Sequence, residues 1–199
     1  MLGSMSTAAH RPRYSYREYL LLEDVSNTKH EFLQGDIYAV AGGTPEHAAV
    51  AVNVSTILSI QLRGRPCRVH SSDLRIRVLS TGLATYPDVT VIRGPRQGDP
   101  EDSNTLVNPI VLVEVLSPST AEYDRVEKVA HYRQIPSLRE IVLVDHRERL
   151  VEVWSRGDDG DWSRREARSG QAAPLASLDV TLEVDEVYRD PISDGPGAA

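Results

Sequence analysis

One run of eight residues limits the fold more than any other: Pro109-Ile110-Val111-Leu112-Val113-Glu114-Val115-Leu116. It is almost continuously apolar and rich in β-branched side chains, which suits a strand. A strand with no polar alternation has no face to give to water, so it belongs at the centre of a sheet covered on both sides. Glu114 is the exception in that run. Burying an unpaired carboxylate costs several kcal/mol, so such a group is paired, protonated or bound to metal. A structural ion pair, or a strand-end position that reaches water, stands beside the functional reading at this point.

The flanking segments supply the cover. Ser15-Tyr16-Arg17-Glu18 has capping-box spacing and predicts a short helix ending near Glu23. His30 to Val40 reads as a hairpin turning at Gln34-Gly35-Asp36. Thr44-Pro45 opens a helix to about Leu62, with Val50, Val54, Ile57 and Leu58 on one apolar stripe. Strands are expected near 67–70, 74–79, 84–93 and 109–116. A second capping-box spacing at Ser119 to Glu122 starts a helix that stops near Gln134, before Pro136. Glu140 to Asp145 is another buried strand, and Leu150 to Trp154 pairs with a polar stretch around Trp162. This order predicts an α/β fold: a central mixed sheet flanked by helices, preceded by an N-terminal helix and hairpin.

Length and composition set the outer limits. A chain of 199 residues suits one domain, expected over 15–189. Residues 1–14 are expected to be flexible, with Met1-Leu2-Gly3-Ser4 resembling a cloning scar, and the Pro/Gly/Asp-rich 190–199 has nothing to bury. No apolar run approaches the roughly 20 residues of a membrane span, and no secretory signal is visible, so a cytoplasmic protein is expected. The single Cys67 excludes an internal disulfide or a cysteine metal cluster and reads as a buried spectator thiol. A net charge of −7 argues against an indiscriminate nucleic-acid coat. Yet arginines 63, 65, 68, 75, 77, 93 and 96 face only Asp73 and Asp88 in that stretch. A basic face and a scatter of solvated arginines are both open.

Asp88 gives Glu114 a partner. It lies in Tyr86-Pro87-Asp88-Val89-Thr90-Val91-Ile92, where the proline predicts a bulge or an edge. Strands about 5 Å apart would let two carboxylates at matching heights share one divalent cation; an ordinary strand-entrance aspartate is the plainer alternative. Asp124, Lys128 and Tyr132 are spaced by four on the helix that follows the Glu114 strand. The short link at Ser117-Pro118-Ser119 folds that helix back beside the strand, so Lys128 could hold a water or neutralise a phosphate. A surface lysine paired with Asp124 is the other reading.

Tyr86-Pro87-Asp88-Val89, Val113-Glu114-Val115-Leu116-Ser117-Pro118-Ser119-Thr120, Lys128 with Tyr132, and Ile141-Val142-Leu143-Val144-Asp145 together resemble the Uma-type restriction endonucleases of the PD-(D/E)XK nuclease superfamily. Upstream, His30-Glu31-Phe32-Leu33-Gln34-Gly35-Asp36-Ile37-Tyr38 and His47 resemble the family's early hairpin and helix. The resemblance spans about residues 15 to 155. One departure is plain: the superfamily's acidic residue–any residue–lysine pattern would put a lysine at 116, where this chain has Leu116, and the resemblance assigns that role to Lys128.

The resemblance implies a restriction-endonuclease-like core and cleavage of DNA. Asp88, Glu114 and the Val115 carbonyl would hold Mg²⁺ or Mn²⁺, oxygen donors suiting a hard cation. Lys128 would assist the attacking water, and a homodimer would cut both strands. Glu31 is either a third carboxylate of the site or a solvated hairpin residue. His47, in the first turn of its helix, reads as a capping or packing residue. Ser71, Ser72, Asp73 and Arg75 read equally as substrate contacts or a polar strand connection. Two rivals remain: a catalytically degenerate DNA-binding or scaffold protein on the same fold, and an RNA-directed nuclease.

Overall fold

The computed structural model describes residues 13–40, 42–117 and 121–190. Expectations for the first twelve residues, for 191–199 and for a cap at Ser119 fall outside them. Helix α1 (Tyr16–Val25) opens on the reciprocal cap its spacing predicts: Ser15 accepts from the Glu18 amide, and the Glu18 carboxylate accepts from the Ser15 amide. Strands β1 (His30–Leu33) and β2 (Asp36–Ala39) turn at Gln34-Gly35, with φ of 50° and 94°. Positive φ at both central positions matches the twist of the flanking strands. Helix α2 (Pro45–Gln61) follows the Thr44 cap and buries Val50, Val54 and Leu58.

Then come β3 (Cys67–Ser71), β4 (Arg75–Arg77), β5 (Ala84–Thr85), β6 (Val89–Arg93), β7 (Gly98–Asp99), β8 (Asp102–Leu106) and β9 (Pro109–Leu116). Helix α3 (Ala121–Tyr123) passes through a π-helical turn (Asp124–Lys128) into α4 (Val129–Tyr132). The chain continues as β10 (Glu140–Asp145), β11 (Leu150–Arg156), β12 (Trp162–Arg168), β13 (Ala172–Leu175), β14 (Val180–Glu183) and α5 (Val184–Val187).

The mixed sheet has the order β12-β11-β10-β9-β6-β3, with β9 and β10 parallel and β6 antiparallel to β9. The Glu114 strand is therefore central. A second six-stranded sheet, β2-β1-β5-β4-β8-β7, packs on it through Ile76, Leu83 and Leu106 against Leu112 and Leu116. This second sheet adds to the central mixed sheet that was expected. The segment 84–93 is two strands, not one, because Pro87 has no N–H for a ladder; β5 stays in one sheet and β6 joins the other. Cys67 is half-buried and unpaired with another cysteine.

Arg75 and Arg77 do not join a basic surface. Arg75 is buried, with Asp102 at 2.6 Å and Thr105 at 2.7 Å, and Arg77 pairs with Asp99 and Glu101. Burial opposes the charge of Asp102, but hydrogen bonds from Thr105, Arg75 and the Asn104 amide hold its carboxyl below the usual range. A carboxyl lowered on folding contributes stability above its unfolded pKa of about 4, and that contribution is lost as pH falls through the folded value. Asp102→Asn should therefore cost about 1–3 kcal/mol at neutral pH, with the Tm gap to wild type narrowing as pH falls from about 4 through the lowered carboxyl value. A gap of equal size at pH 7 and pH 3 would refute the assignment.

Candidate active site

Alternation along β9 decides where Glu114 points. Val111, Val113 and Val115 pack in the cluster that includes α2, whereas Leu112 and Leu116 pack with Tyr132 of α4. Glu114 shares the second face and is 4% exposed. Its Oε1 accepts from the Tyr132 hydroxyl and lies 3.5 Å from the Lys128 ammonium. Lys128, 8% exposed, is also 2.8 Å from Glu31 Oε1 and 3.2 Å from Asp124 Oδ1. The alternative of a surface lysine paired with Asp124 does not hold: both groups are buried, and two further carboxylates join them. Glu31 is not a solvated hairpin residue; it faces this cluster and accepts from the Thr85 hydroxyl.

The helix achieves this by widening. In an α-helix, residues four apart drift by about 40° per step. The π turn takes up one extra residue, and Asp124, Lys128 and Tyr132 all point inward. From the same turn Arg125 bonds Asp145 at 3.3 Å and Glu152 at 3.0 Å, tying the turn to β10 and β11.

Asp88 follows the strand break and precedes Val89, which pairs with Val113. It therefore sits one step from that rung on β6, as Glu114 does on the neighbouring β9. Its Oδ2 accepts from the Val115 amide at 2.8 Å and is 3.3 Å from His47 Nε2. His47 thus does two things where capping or packing was expected. Its amide donates to Thr44 at 3.3 Å, and its ring reaches the site. Nothing in a first-turn position signals the second. Glu31, His47, Asp88, Glu114, Asp124 and Lys128 line one cleft of about 370 Å³. Ser71 and Ser72 border an adjoining groove, while Arg75 is committed to the interior.

The charges explain one another. Burial, aided by Asp88 and Asp124 and opposed by Lys128 and Tyr132, pushes the Glu114 carboxyl up to about 8. Burial also opposes the Lys128 charge, but Glu114, Tyr132, Glu31 and Asp124 outweigh it and hold the ammonium well above the usual lysine range. Its hydrogen bond to Asp88 raises His47 against desolvation. Among the described residues no three His, Cys, Asp or Glu side chains already stand as a ligand set. The donor chemistry nevertheless fits a hard dication. Four carboxylates line the cleft, three of them share one ammonium, and buried Asp124 Oδ1 has no hydrogen-bond partner, only that ion pair.

Residues 16–185 match the Uma2 family, described as "Putative restriction endonuclease". The chain is 36% identical over 184 residues to the uncharacterised protein slr1290 of Synechocystis, covering 92% of this chain and 96% of that one. A second Synechocystis protein, sll1609, is 33% identical over 73% of this chain and 82% of its own. In fold, the chain resembles the crystal structure of a nuclease, also described as putative, that belongs to DUF820 from Anabaena variabilis. The TM-score is 0.71 at 19% identity, over 88% of this chain and 97% of that one. No helix among the described residues is long and apolar enough to cross a membrane. With a family match over most of its length and relatives above 30% identity, the chain belongs to the Uma2 family.

Proposed function

We propose that this chain is a metal-dependent endonuclease hydrolysing phosphodiester bonds in DNA, with its catalytic residues in the cleft between β6, β9 and the π turn. The observation that carries the reading is a buried ammonium among three carboxylates, Glu31, Glu114 and Asp124, with a fourth, Asp88, lining the same cleft. Four clustered acids are a poor way to stabilise a fold, and strongly perturbed groups gathered in a cleft mark sites of chemistry. Asp88, Glu114 and the Val115 carbonyl are the donors for Mg²⁺ or Mn²⁺, which when bound would acidify a water and offset charge on the scissile phosphate.

The remaining roles belong to the side chains. Lys128 orients the attacking water and balances negative charge that develops at the phosphate. Glu31, 2.8 Å from that ammonium, is placed to take up a proton through a second water. Tyr132 and Asp124 fix where Lys128 and Glu114 sit. His47 holds the orientation of Asp88. Cutting both strands of a duplex would use two copies related by a two-fold axis.

The test compares wild type with Asp88→Ala on labelled duplex DNA and on RNA, in Mg²⁺, in Mn²⁺ and in chelator. DNA cleavage by wild type with either metal, absent from Asp88→Ala and from chelator, is the expected result. Cleavage that survives the substitution or the chelator sinks the site. Cleavage of RNA alone makes it an RNA-directed nuclease, and no cleavage of either returns the binding-protein reading.

A further inference from the structure

Four arginines of the 63–96 stretch, Arg65, Arg68, Arg93 and Arg96, lie at the Cys67 end of β3, away from the catalytic cleft. Two of them, Arg65 and Arg93, donate to the backbone carbonyls of Leu178 and Ser177 and so have fixed directions. Arg68 and Arg96 are exposed, and their side chains have neither an acidic partner nor a hydrogen bond among the described residues. Arg65, Arg68 and Arg96 line a cleft of about 500 Å³ with Gly94 and Pro95. No carboxylate lines it. After burial, the fields of Arg68 and Arg96 are what hold the nearby His70 imidazole below its usual range.

The same edge of the mixed sheet leads back to the active site. β3 is the edge strand: its Ser71 end pairs with Val89, next to Asp88, and its Cys67 end pairs with Arg93. A groove of about 530 Å³ starts at His47 and Asp88 and runs past Lys29 and Ser55 to Ser71 and Ser72. It shares His47, Tyr86 and Asp88 with the catalytic cleft. Along β6, five residues at about 3.3 Å each separate Asp88 from Arg93, roughly 17 Å. One strand of a duplex advances about 3.4 Å per phosphate, so that distance corresponds to some five nucleotides.

We propose that the β3 edge is a track for a polynucleotide backbone, with Arg68 and Arg96 gripping phosphates about five nucleotides from the bond positioned at Asp88. This rests on the nuclease reading for the other end of the track. On a chain of net charge −7, two unpaired arginines in a separate cleft at the far end of the edge strand from that groove suit a polyanion of regular charge spacing. The competing account is that charged residues on an edge strand only keep it from pairing with another chain.

Fluorescence anisotropy on a labelled 20-base-pair DNA duplex, with chelator present and salt varied, separates the two. Arg68→Ala/Arg96→Ala should bind roughly 10–100-fold more weakly at 0.1 M salt, with a log–log salt slope shallower by about two. The control, Arg139→Ala/Arg165→Ala, removes the same charge from exposed positions elsewhere and should bind as wild type does. Equal loss in both proteins means a general charge effect and overturns the track. So does an unchanged salt slope, or a double variant that has become a dimer by sedimentation while binding DNA normally. A wild type that binds no duplex overturns it too. Wild type that binds through Arg68 and Arg96 yet cuts nothing with Mg²⁺ or Mn²⁺ leaves the track standing and removes the nuclease reading.

Discussion

Lys128→Met should abolish cleavage and lower stability by about 3–5 kcal/mol, the scale for removing one partner of a buried ion pair. Methionine keeps most of the lysine stem, so packing around Tyr123 and Tyr132 changes little. What disappears is the charge that Glu31, Glu114 and Asp124 share. The folded state can relieve part of the repulsion by keeping a proton that the unfolded state releases. Carboxyls raised on folding make stability rise as pH falls, so the variant should recover toward wild type between about pH 7 and pH 5. Urea unfolding at both pH values reads this directly. A variant as stable as wild type at pH 7 would mean that the ammonium holds nothing in place.

Glu114→Gln should separate activity from stability. Glutamine keeps the shape and can still accept from Tyr132, but it replaces a carboxyl that burial pushes up to about 8, so that folding at pH 7 no longer has to take up a proton. Stability at pH 7 should be unchanged or raised by about 1 kcal/mol, as expected where a functional group is held at a structural cost. Cleavage should fall about 10³-fold or more, because a neutral amide is a weak ligand for a hard cation and contributes no charge. Tm and single-turnover cleavage on one preparation give both numbers. Loss of both together would mark Glu114 as a structural ion-pair member and nothing more.

These two residues illustrate how far a sequence can be read. Glu114 stood out because one charge broke an apolar run, and the run itself located the centre of the sheet. Asp88 was visible because a proline precedes it, although Pro87 does more than bulge the strand; it carries the chain from one sheet to the other. Lys128 needed both its spacing and the family resemblance. His47 was hidden, since a first-turn histidine looks the same whether its ring caps, packs or reaches an aspartate across the fold. The strands missed were those whose local chemistry argues against strand. Asp102–Leu106 begins Asp-Ser-Asn-Thr and Ala172–Leu175 contains Pro174, and both are held by partners distant in sequence or across a turn. Tertiary pairing overrides propensity there. The buried role of Asp124 was equally unreadable, because it depends on how far the helix is wound.

That winding makes the site sensitive to chain length rather than to side-chain identity. The π turn already absorbs one residue more than an ordinary α-helix, so deleting one there would leave the residues beyond it near their present phase. Inserting one more residue would instead shift everything beyond it by about 100°, turning Lys128 and Tyr132 away from Glu114 while the flanking sequence stayed intact. The spacing from β9 to Tyr132 therefore behaves as a reading frame. Substitutions across this helix surface leave the frame unchanged, and one inserted residue destroys it.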